Sequence, residues 1–236
     1  MHHSDMFDTL VTVEVGTGDT QRTFEVFKGL LSFYFGYLDS ALNGHFHEAS
    51  ERTVKLPSEE PLIFDLFRYW IHTRRFYPST LEPSVLLDYD ALAKLWVFGD
   101  AHLVPLLQNT VIEILAEKIL DTLTAPEEEV IGFIYENTVP DSPLRFTIIT
   151  SLKAMMSTPE DLHEEVVPWG PPLFADGAEV TKRAVWSTEL RKPGGVARRT
   201  WLRGDRCRRH VHEEGVCCEK VDWVSDLLDA LRRGNA

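Results

Sequence analysis

The amino-acid sequence predicts an α+β domain in which a small three-stranded sheet packs against a cluster of helices, with further C-terminal helices and an irregular tail. Three observations predict it. Strand-like alternation is confined to the first 56 residues, apolar residues then recur at helical spacing as far as Met156, and beyond Thr158-Pro159 that periodicity fails.

The elements follow in chain order. Leu10, Val11, Val13 and Val15 form a strand-like run that ends at Gly16-Thr17-Gly18-Asp19, and apolar alternation resumes from Thr23 to Phe27, so the pair reads as a hairpin. From Lys28 to Leu42 the apolar residues crowd at helical spacing, interrupted by Gly36 and stopped at Asn43-Gly44, which predicts two short helices. Thr53 to Leu56 reads as a third strand, halted by Pro57. Ser58 to Pro61 opens a helix to about Thr73, with Ile63, Leu66, Phe67, Trp70 and Ile71 on one stripe.

The next helix carries Tyr89, Leu92, Trp96 and Gly99 on one face and Ala91, Leu95 and Phe98 on an adjoining one. It should therefore be buried on two sides, in the middle of the fold. Pro105 starts another, with Leu107, Val111, Ile114 and Leu115 inward. Thr124 with Glu127 reads as a capping box ahead of residues 130–135, and Ser142-Pro143 starts a last helix through Met156. Beyond it, residues 168–172 and 193–195 are rich in Pro and Gly, and only residues 221–231 look helical again. The expected organisation is a domain over residues 5–120, a helical extension over 121–158 and a poorly specified, partly disordered region over 159–236.

The net charge of −13 is unevenly spread. Residues 1–180 hold 11 Lys+Arg against 29 Asp+Glu, whereas residues 181–212 hold 10 basic and 2 acidic residues. An acidic body repels nucleic acid, so nucleic acid is not the expected partner; the basic segment reads as a solvated tail, or as one folded back on acidic surface. The three cysteines, Cys207, Cys217 and Cys218, all lie near the C-terminus, which suits a reducing compartment. With no signal-peptide pattern and no apolar run of bilayer length, the expectation is an intracellular protein of nucleus or cytoplasm that does not enter membranes.

Residues 24–73 resemble the BTB/POZ domain, especially its filamentous-fungal branch. The likeness rests on Lys28 with Leu30-Leu31, Ala41-Leu42-Asn43-Gly44, Phe46, Glu48 and Leu56-Pro57, then Pro61, Phe64, Phe67, Trp70 and Thr73 in register. Residues 92–115 look like the family's next helix pair. Tyr135-Glu136-Asn137-Thr138 and Ser142-Pro143-Leu144-Arg145 resemble a motif of the fungal subgroup's distal helices. The resemblance covers roughly residues 10–150. Departures are Phe27 for a usual His, Phe35-Gly36-Tyr37 for a Ser-Pro-Phe-like helix start, and His72 and Arg74 for a common Tyr and Gly. Thr9, not Asp8, falls in the slot of an acidic residue of the family's dimer pocket.

What the resemblance implies is a protein-interaction module that self-associates or recruits another protein, without enzymatic activity. Its homodimer interface would draw on the first strand and helices, here Leu10, Val11, Leu30, Leu31, Phe33, Tyr34 and Tyr37. The residues add a reason: four aromatics among positions 33–37 cannot all face one core at helical pitch, so at least one should be exposed unless Gly36 bends the chain. A rival reading is a substrate adaptor of a cullin-RING ubiquitin ligase, because Phe46-His47-Glu48 looks like the hydrophobic-x-Glu motif by which some family members contact the cullin scaffold. The bland alternative makes Phe46 a core residue and Glu48 a solvated acid.

A second rival is a zinc-dependent nucleic-acid binder. Cys207, His210, His212 and Cys217 could furnish two thiolates and two imidazoles, with neighbouring arginines favouring the thiolates. The spacing is cramped and matches no established finger, so no cofactor is expected and the unliganded tail is preferred. For an enzyme there is no nucleophile elbow, phosphate-binding loop, His-Glu-x-x-His or dinucleotide fingerprint. Asp88 with Asp90, the nearest carboxylate pair, suits the positive end of a helix dipole.

Overall fold

Val11, Val13 and Val15 alternate with Thr12 and Glu14, and β1 (Leu10–Val15) turns that alternation into one buried and one more open face. The computed structural model describes residues 9–35, 53–76, 87–122, 124–155 and 210–211. Gly16 (φ 81°) and Gly18 (φ 59°) occupy the left-handed region that lets the chain reverse through a short 3-10 turn into β2 (Arg22–Phe27). The hairpin is antiparallel, with Leu10 opposite Phe27 and Val13 opposite Phe24. β3 (Thr53–Leu56) lies parallel to β1 on its other side, giving the order β2-β1-β3. The most apolar strand is thus central, and Gly16 N–H extends the pairing by donating to the Leu56 carbonyl at 3.0 Å.

The fold among the described residues is α+β, with this sheet and six helices: α1 (Lys28–Tyr34), α2 (Pro61–Thr73), α3 (Tyr89–Ala101), α4 (Pro105–Thr122), α5 (Glu128–Asn137) and α6 (Pro143–Met155). Proline stands at the first position of α2, α4 and α6, where its missing N–H costs nothing. Asp88 caps α3, its carboxylate accepting from Ala91 N–H at 2.7 Å, so the acidic pair at this helix front has the structural role its position suggested. The second short helix expected before Leu42, and the terminal helix expected over residues 221–231, lie outside the described residues.

Helix α3 packs against α2, α4 and α5, which accounts for its two buried faces. Close approach to α4 is set at Gly99: a Cβ there would stand 2.9 Å from Gln108 Cγ. One continuous hydrophobic cluster runs from Val11 in the sheet to Ile149 in α6. The helices of the extension therefore share the core of the N-terminal elements instead of forming one of their own.

One expected local feature is corrected. Thr124 does not cap α5; the N-cap is Glu127, with no side-chain cap bond. A capping box from Thr124 would need Ala125 in helical conformation, and the following Pro126 disfavours that. Thr124 instead ties α3 to the chain behind α4. Its carbonyl accepts from the Tyr89 hydroxyl at 2.7 Å, and its own hydroxyl lies 2.7 Å from that of Thr122.

Candidate functional site

The run of aromatics after Lys28 divides sharply in the folded chain. Tyr34 and Phe35 are buried, whereas Phe33 is 61% exposed; Phe35 already stands past the end of α1, so two of these rings, and not all of them, follow helical pitch. Leu10 is the other exposed apolar residue in this part of the chain, at 46%. It sits at the end of the ladder opposite Phe27, the residue that leads into α1. Of the remaining residues expected at a dimer interface, Val11, Leu30, Leu31 and Tyr34 face the core, and Tyr37 lies outside the described residues. Among the described residues of β1 and α1, Leu10 and Phe33 are thus the exposed apolar side chains, and Val11, Leu30, Leu31 and Tyr34 are buried.

The packing of the buried rings is aromatic and specific. Phe35 meets Phe67 edge-on at 4.9 Å between ring centroids and His102 at 4.9 Å, while His102 Nε2 in turn donates to Glu59 Oε1 at 3.0 Å. Tyr34 contacts Trp70 at 5.6 Å, and the Arg74 guanidinium lies 4.7 Å from the Tyr34 ring and 4.8 Å from that of Trp70. Arg74 ends α2 with φ 59°, the left-handed position that glycine fills without strain. Partial burial pushes its pKa down from the ordinary guanidinium value, through the cost of desolvating the charge. The departure at residue 74 was visible in the sequence; its purpose, to reach across two rings on different helices, was not.

The two tetrads of the distal helices meet through one side chain. Arg145 donates to Thr138 Oγ1 at 2.8 Å, to the Tyr135 carbonyl at 2.9 Å and to the Thr138 carbonyl, and its guanidinium lies 4.2 Å from the Tyr135 ring. It therefore satisfies carbonyls at the C-terminus of α5 while placing positive charge at the negative end of that helix. Ser142 assists from the other side, its hydroxyl accepting from Arg145 N–H at the start of α6.

Phe46 and Glu48, the candidate cullin contact, lie outside the described residues, as do Cys207, His212 and Cys217 of the candidate zinc set. His210 is described: its Nε2 donates to Glu113 Oε1 at 2.7 Å. Among the described residues no group of three or more His, Cys, Asp or Glu side chains is gathered as metal ligands would be, and no helix is long and apolar enough to cross a membrane. Scanned against protein-family models and searched against curated proteins, the chain matches none.

Proposed function

We propose that the chain is a BTB/POZ-type protein-interaction module that self-associates through β1 and α1 or recruits another protein there, and that it catalyses no reaction. The observation that carries this reading is Phe33: a large apolar side chain left 61% exposed on a helix whose neighbouring aromatics are buried. An exposed phenylalanine beside buried rings suits an interface, where aromatic residues are enriched relative to the rest of the surface. The ordered spacing of motifs over residues 10–150 supports the family assignment, and the mixed sheet followed by stacked helices is compatible with it.

Light scattering on the full chain tests the reading. The expected mass is twice the 27.0 kDa of the chain, and Phe33→Ala is expected to weaken self-association about tenfold or more while leaving the unfolding temperature unchanged at concentrations where both proteins are monomeric. A wild-type protein that stays at 27.0 kDa at every concentration and carries no co-purifying polypeptide would overturn it.

A further inference from the structure

The C-terminal region touches the helical core at two residues among those described, and both are held by polar groups of α4. Val211 presents its backbone to Asn109: its N–H donates to Asn109 Oδ1 at 2.7 Å, and its carbonyl accepts from Asn109 Nδ2 at 3.1 Å. One planar carboxamide thus satisfies both polar groups of a single residue, as a neighbouring strand would. One helical turn further on, Glu113 accepts from His210 Nε2 at 2.7 Å. Asn109 and Glu113 are four residues apart and so share a face of α4.

Burial gives these contacts their weight. Asn109 and His210 are each 4% exposed, and the Val211 side chain packs against the hydrophobic core. A buried carboxamide is costly unless both of its ends are bonded, and Asn109 meets that demand on a residue 102 positions away. Asparagine is also a poor choice for the interior of a helix on propensity alone. Its place in α4 is explained by what it holds.

We propose that Asn109 and Glu113 form a latch on α4 that captures the His210-Val211 dipeptide of the same chain and ties the C-terminal region to the helical core. Asn109 reads the backbone of the strap, and Glu113 reads the imidazole.

The test is amide hydrogen exchange at Val211 in the full chain. In the wild type this N–H should exchange much more slowly than in an unstructured peptide. His210→Ala, which changes nothing on α4, should speed its exchange about tenfold, Glu113→Ala should do the same, and the double variant should be no faster than either single one. Asn109→Ala should bring exchange close to the unstructured rate; should that variant fail to fold, the strap-side substitution still decides. Exchange of the wild-type amide at the unstructured rate, or effects of His210→Ala and Glu113→Ala that multiply to about a hundredfold, would overturn the latch.

Discussion

Replacing Arg74 by Ala and, separately, by Gly sets two opposing energies at the end of α2 against each other. At φ 59° a residue with a Cβ costs roughly 1–2 kcal/mol, a penalty that glycine escapes at the expense of about 0.4–1 kcal/mol in unfolded-state freedom. Against this, the guanidinium sits 4.7 and 4.8 Å from the Tyr34 and Trp70 rings, in a partly desolvated position where each contact contributes about 1 kcal/mol. Some of that gain is offset, because Arg74 Nη1 is buried with no hydrogen-bond partner among the described residues. Arg74→Ala keeps the backbone strain and loses both rings, so it should destabilise by about 1–2 kcal/mol. Arg74→Gly loses the rings but relieves the strain, and should lie about 0.5–1 kcal/mol above the Ala variant in stability. Urea unfolding followed by tryptophan fluorescence measures both, provided the denaturant slope is unchanged. An Ala variant as stable as the wild type would remove the ring contacts from the account; a Gly variant no more stable than the Ala one would remove the strain.

Two further outcomes follow from the distal helices and the centre of the fold. Arg145→Ala leaves the Tyr135 and Thr138 carbonyls without their donor and should cost about 3 kcal/mol, with Arg145→Lys recovering only part because an ammonium cannot span the same acceptors; thermal unfolding of the three proteins orders them. Gly99→Ala drives a methyl to 2.9 Å from Gln108 Cγ and strains the bond from Gln108 to Asp100, which should destabilise by about 1–3 kcal/mol. Adding Gln108→Ala should restore part of that loss in urea unfolding, whereas strictly additive costs would place the strain elsewhere.

How much of the molecule was legible beforehand follows the range of the forces involved. Hairpin, third strand and the starts of α2, α4 and α6 are set by glycine, proline and apolar period within a few residues, and each appears where those signals stand. The capping box at Thr124 failed because a neighbouring proline outweighed a local motif. For the candidate interaction surface, pattern left two outcomes open, an exposed aromatic near Phe33 or a bend at Gly36 that buries all four; that Phe33 is the exposed one depended on the direction in which α1 leaves the sheet.

From residue types and spacing alone came the mixed architecture and the burial of α3 on two sides. Tertiary structure decided the parallel placement of β3 beside β1, the bridge that Arg145 makes between Tyr135–Thr138 and Ser142–Arg145, the reach of Arg74 across two rings and the capture of His210-Val211 by α4. The physical reason is that periodicity and capping are written in neighbours three or four positions apart, whereas a buried polar group takes whatever partner the folded chain brings within 3 Å. For Asn109 that partner stands 102 residues downstream, a separation no local pattern encodes.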